Sequence, residues 1–475
     1  MKTALAFLAF AVAAVPAGAT CGGGGGGGRG GMAPSGEVAE QVYQVPWAFL
    51  KPAAAAPTRG LVLYWFPASV DEIKISPLRT SRDLALYSAQ CVTMAVADWG
   101  SPLGTKLEAA GKVPVAVLTD AAGLILGRVD GEKGRLKVPE VEKLLRVEME
   151  KRADAVDRQW NDAKAKSKAG DREGAVAALQ AVWAERCLFP KKGKDAAKEL
   201  KKLGVSVPDE AGAPAAFAPV WDGPRAAEVL DTMKRGLAAE MAGRYEDARS
   251  LYARASRLDP DDPTPRRYLA ELYRHHTGDW KRARRIFEDL LARPADPLSR
   301  AVALHGIGKM TIHEGAFEKG RSRIEESAAT FPLPLAYRNL AVHWNSEGDA
   351  GKTAAYVKLA LDLDPDDPYN RVFAAVFMAM SGRTAEALEI AKANDALLPA
   401  SYNLAAIFAL SGQRDRALML LRRHFYEYER YPAVRAEEMM EARVDAVFAS
   451  LRKDADFLAL TALADGKLAM PMTAH

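Results

Sequence analysis

GRYEDARSLYARASRLDPDDP, at residues 243–263, is the first of six related stretches in this 475-residue chain. Glycines that open such stretches fall at 243, 278, 315, 348, 382 and 412, separated by 35, 37, 33, 34 and 30 residues. Seven residues before the glycine stands a small residue, Gly236, Gly308, Ala341, Ala375 or Ala405; before Gly278 it is Ala270, eight back. Five after come Ala248, Ala283, Gly320, Thr353, Ala387 and Ala417, and nine after come Tyr252, Phe287, Ile324, Val357, Ala391 and Leu421. Proline follows at Pro260, Pro294, Pro332, Pro365 and Pro399.

Each part has a physical reading. Two helices of about a dozen residues meet at a short turn, where glycine ends the first and accepts positive φ. Small residues let paired helices approach closely, and the larger residue fills the space between hairpins. Proline stops the second helix and restarts the chain. This period and pattern resemble the tetratricopeptide repeat family, and LALDLDPDDP at 359–368 is a second close match to its inter-repeat turn. The resemblance implies an all-α superhelix over residues 225–432, with a concave surface that binds a protein or peptide segment and has no chemistry of its own. It also implies that the first helix of each hairpin lines that groove. The matching positions are Arg267, Arg274, His275, His305, Lys309, Arg338 and Asn345, then Val372, Val376, Met380, Tyr402, Ala406 and Leu410. Such a groove would be basic and polar in its middle and apolar toward its C-terminal end. Residues 433–475 would cap the array and form a tail.

Working back from the array, residues 205–224 are rich in Pro and Ala without periodicity and read as a linker. Residues 151–204 read as a divergent helical hairpin, ending in the exposed basic helix KKGKDAAKELKKLG at 191–204. Residues 45–150 alternate between strand-like and helix-like runs: strands at 60–66, 92–97, 113–118 and 124–129, a helix at 77–89 and a long helix at 138–168. This is the pattern of a small mixed sheet in an α/β sandwich. It resembles the thioredoxin fold through Tyr64-Trp65 at a strand end, Pro77 in the following helix, Pro114 as the cis-proline and the turn at 120–123. On that register the two redox cysteines correspond to Ser69 and Glu72. Dithiol exchange needs a thiolate and a resolving thiol, so the resemblance implies a thioredoxin-like domain without thiol–disulfide activity. The alternative is a thiol–disulfide oxidoreductase-related protein working with a thiol from elsewhere, or a lipid-anchored envelope assembly factor.

Lys2, the apolar run 5–15 and Ala17-Gly18-Ala19 have the form of a secretory leader over residues 1–19, followed by a glycine-rich tether over 20–44. Export to a periplasm or to the medium follows. Lipidation at Cys21, which seven glycines follow, is an alternative, as is a true start at Met32. Only three cysteines occur, with no CxxC. Cys91 and Cys187 are two buried thiols or, in an oxidising compartment, a disulfide.

Phosphate loops, HExxH and GxSxG placed between strand and helix are absent, and no cofactor or enzymatic activity is expected. His305 and His313 stand eight apart, too far to share a metal without other ligands. With a net charge of +4 and no basic run interleaved with aromatics, nucleic acid is not an expected partner.

Overall fold

The computed structural model describes residues 42–50, 60–109, 111–208, 217–221, 223–398, 400–429 and 432–462, without the side chains of 433 and 434. The leader, most of the tether and Cys21 lie outside the described residues. The described residues divide into two bodies, one of those within 42–310 with 326–331, the other of those within 311–325 with 332–462.

The first body opens with a five-stranded sheet: β1 (Ala48–Phe49), β2 (Leu61–Phe66), β3 (Val92–Val96), β4 (Val115–Asp120) and β5 (Ile125–Asp130). Their order is β1-β3-β2-β4-β5, with β3 parallel to β1 and β2, and β4 antiparallel to β2 and β5. All six residues of β2 are buried. Alternate side chains of a strand point to opposite faces, so Leu61, Leu63 and Trp65 join one core while Val62, Tyr64 and Phe66 join another. The short strand β1 lacked any readable run. The Val113–Pro114 peptide is cis.

The helix expected over 77–89 is instead two pieces, a 3-10 turn at Pro77–Arg79 and α2 (Arg82–Ala89), with a separate α1 (Val70–Ile75) before them. Serine caps divide them. Ser76 Oγ accepts from Leu78 N at 3.3 Å and Ser81 Oγ from Leu84 N at 3.1 Å, and such local bonds start new helices where a continuous one would otherwise run. After α3 (Pro102–Lys106) come α4 (Val138–Lys168), α5 (Arg172–Ala184) and α6 (Pro190–Lys202). Helix α6 is not simply a solvated basic helix. Gly193, Ala196 and Leu200 on one face are buried, the last two in a core with Ala178, Leu179 and Val182 of α5. Cys91 and Cys187 form a disulfide with Cα atoms 5.7 Å apart, which overturns two separate buried thiols.

Helices α7 (Pro224–Met241), α8 (Tyr245–Leu258), α9 (Pro263–Leu272) and α10 (Trp280–Ala292) follow. An α-array that starts independently at residue 225 is not what forms. Val229, Met233 and Leu237 of α7 and Tyr252 of α8 share one core with Leu63, Trp65, Leu84, Val141 and Leu145 of the sheet domain. Nor are residues 217–221 a bare linker. Trp221 stacks on Tyr87 with ring centroids 4.2 Å apart, and Ala218 N donates to Asp261 Oδ2 at 2.7 Å.

The two bodies share the helices α11 (Pro297–His313) and α12 (Phe317–Thr330). The second body continues with α13 (Pro334–Ser346), α14 (Ala350–Leu363), α15 (Pro368–Met380), α16 (Thr384–Asn394), α17 (Tyr402–Leu410), α18 (Arg414–Arg423), α19 (Pro432–Val444) and α20 (Ala455–Leu460). All six turn glycines have positive φ, from 64° at Gly278 to 88° at Gly382. The recurring alanines 248, 270, 283, 341, 375, 387, 405 and 417 are fully buried. At Gly236 a Cβ would lie 2.6 Å from the buried ring of Tyr252, which shows how closely the helices approach. The extra residue between Ala270 and Gly278 is absorbed by a π-helical turn at Tyr273–Thr277, the usual device for one inserted residue in a helix. The repeated DPDDP turn is also explained: Asp262 and Asp367 cap α9 and α15, whose first residues are Pro263 and Pro368.

Candidate functional site

The residues expected to line a groove divide into accessible and buried sets. In the first body, Arg274 is buried and paired with Glu271, whose Oε2 accepts from Arg274 Nη2 at 2.9 Å and lies 3.3 Å from His275 Nε2. Burial pushes the Glu271 carboxyl up, but Arg274 and His275 outweigh it and hold it well below the ordinary range. Burial, reinforced by Arg274, lowers His275 to about 4 and keeps the buried His305 well below its ordinary value. The charge of Arg274 is therefore spent inside the fold, and these imidazoles are neutral at pH 7. Lys309 is partly exposed.

Arg267 differs. It is 3% exposed, and its Nε and Nη1 have no hydrogen-bond partner among the described residues. Its guanidinium lies 5.3 Å from the centre of the Tyr268 ring, a contact that satisfies neither nitrogen.

In the second body, Arg338 Nη1 donates to Asn370 Oδ1 at 2.7 Å and lies 3.7 Å from Asp367. Asn345 is partly buried and Met380 exposed. Val372, Val376, Ala406 and Tyr402 are buried, so they are not accessible groove residues, and Leu410 is half-buried. The chain's own C-terminal segment fills that apolar end: Val447, Phe448, Leu451 and Phe457 share a core with Val376 and Tyr402. A solenoid must cover its last apolar face, and here the cover reaches the positions assigned to a partner.

Tyr402 donates to Asp445 Oδ2 at 3.2 Å, and Asp445 Oδ1 accepts from Val447 N at 3.1 Å. Burial nevertheless pushes the Asp445 carboxyl up to about 7. An unfolded Asp titrates near ~3.9, so between these values the folded chain binds more protons. The stability owed to this group is full below pH ~4 and lost as pH rises toward 7. Asp445→Asn should remove that slope. The wild type's advantage over the variant in urea midpoint should shrink from about pH 5 to pH 8; a constant or growing advantage would refute the assignment.

The positions that the thioredoxin resemblance would match to redox cysteines, Ser69 and Glu72, hold a capping box instead. Ser69 Oγ accepts from Glu72 N at 3.1 Å, and Glu72 Oε2 accepts from Ala68 N at 2.7 Å, closing the start of α1. The pattern S-x-x-E is legible in sequence as a helix start. Pro114 accepts from Gly131 N through its carbonyl at 2.8 Å. Among the described residues, the group able to hold a metal ion is His313, Glu437 and Glu441, which sequence spacing could not bring together. No described helix is long and apolar enough to cross a membrane.

Residues 239–306 match the tetratricopeptide repeat family model. No curated protein matches the chain. Among solved structures it is similar to a tetratricopeptide repeat protein from Parabacteroides merdae, at 16% identity over 65% of this chain and 99% of that one, with a TM-score of 0.30. It is also similar to a thermophilic protein of the same kind from Thermus thermophilus, at 22% identity over 40% of this chain and 99% of that one, with a TM-score of 0.31. The family typically serves protein–protein interaction without catalysis. The family match thus covers residues 239–306, a stretch that also holds the positive-φ turn glycines Gly243 and Gly278 and the buried alanines 248, 270 and 283.

Proposed function

We propose that the chain is an exported scaffold that captures an acidic protein segment through its first repeats and carries a redox-inactive, thioredoxin-like domain. The observations that carry the reading are the tetratricopeptide repeat match at residues 239–306, of a family that serves protein–protein interaction, and Lys309, a partly exposed cation at a groove position just after it. The sheet order supports the thioredoxin-like reading, and the capping box at Ser69 and Glu72 supports inactivity in dithiol exchange. The Cys91–Cys187 disulfide favours an oxidising compartment and hence export to a periplasm or to the medium. Lipid anchoring at Cys21 remains an alternative form of the same export.

Lys309→Glu separates a binding role from a structural one. A substitution at a partly exposed position away from the core usually shifts stability by no more than about 0.5 kcal/mol, so the urea midpoint should hold. Capture of protein from envelope extract by the immobilised full chain should fall at least tenfold, and wild-type capture should weaken with salt. Loss of stability, or undiminished capture, would overturn the proposal.

A further inference from the structure

We propose that His313, Glu437 and Glu441 bind a divalent transition-metal ion, of the Zn2+ type, which fastens helix α19 to the end of helix α11. His313 Nδ1 and one carboxylate oxygen from each glutamate lie within 4.8 Å of one another. Glu437 and Glu441 are four residues apart on α19, so both project from one face. His313 arrives from the last turn of α11, where the helix dipole favours positive charge. Its Nδ1 sits against a Glu437 carboxylate oxygen and lies 3.6 Å from Glu441 Oε1.

The donor set is one imidazole nitrogen and two carboxylate oxygens without sulfur, a combination that suits Zn2+ and the neighbouring divalent metals. Zinc bound at ~2.0–2.2 Å to each atom needs ligand atoms about 3.3 Å apart, so the close His313–Glu437 pair must open while the 3.6 Å His313–Glu441 pair closes slightly. Two carboxylates beside a neutral imidazole carry a charge that one divalent cation cancels. The side chains are 15%, 30% and 19% exposed, shielded from bulk water yet open enough to admit an ion and leave a position for a water ligand. A proton on His313 competes for the same place, so binding must release protons and weaken in acid.

The test is titration of the untagged, metal-free full chain with Zn2+ by calorimetry at pH 7. One site per chain is expected, weakened at least tenfold at pH 5, with a melting temperature that rises with free Zn2+. His313→Gln and the double variant Glu437→Gln, Glu441→Gln should each lose at least tenfold in affinity while keeping the wild-type circular-dichroism spectrum. No binding by the wild type, or unchanged affinity in a folded variant, would overturn the site. If neither variant folds, X-ray absorption of the zinc-loaded wild type decides: a nitrogen and oxygen shell supports the site, and a sulfur shell overturns it.

Discussion

Arg82→Met should destabilise the chain by about 3–5 kcal/mol, the usual cost of leaving buried charges without their partner. Arg82 is buried, and its Nη2 donates to Asp259 Oδ2 at 2.5 Å while its Nε lies 3.3 Å from Asp262 Oδ2. Nη1 donates to the carbonyl of Val220 at 2.6 Å, and Tyr43 donates to Asp262 Oδ2 at 2.7 Å. Both aspartates belong to the first DPDDP turn and are at most 1% exposed. Removing the guanidinium strands two carboxylates between the sheet domain and the first repeats. Adding Asp259→Asn and Asp262→Asn should recover part of the loss, because asparagine still caps a helix and carries no charge. Urea unfolding of the full chain measures both effects. A loss below about 1 kcal/mol, or no recovery, would mean that the network does not hold these elements together.

Reducing the Cys91–Cys187 disulfide, or replacing both cysteines by serine, should cost about 2–5 kcal/mol. The bond closes a loop of 96 residues, and cross-linking a loop of roughly that length removes much entropy from the unfolded chain. It joins the residue just before β3 to the turn between α5 and α6, where Gln90 Nε2 also donates to the carbonyl of Leu188 at 3.2 Å. Equal urea midpoints with and without reductant would show that the bond contributes nothing to stability. Activity of the wild type in an insulin-reduction assay, abolished by Cys91→Ser, would instead make the bond a redox centre.

What could be read from sequence alone was local or periodic. The glycine turns and the small residues five after and seven before them recur because a helical hairpin places the same offsets at the same contacts. The buried alanines and positive φ values follow from that geometry. The strands 61–66 and 92–96 were legible as continuous apolar runs, since a strand buried on both faces admits little else. Ser69 and Glu72 were legible too, as the S-x-x-E start of a helix.

Tertiary structure decided the rest, because it depends on which distant surfaces meet. Arg82 and Asp259 are 177 residues apart, and Cys91 and Cys187 are 96 apart. Neither periodicity nor composition records such pairings. The groove residues show the same division: family offsets named Arg274, Arg338 and Tyr402, but Glu271, Asn370 and Asp445 bond to them inside the fold. Arg267, at an equivalent offset, was left with unsatisfied nitrogens among the described residues. A side chain's position along a helix was set by sequence, and its availability to a partner by what packed against it.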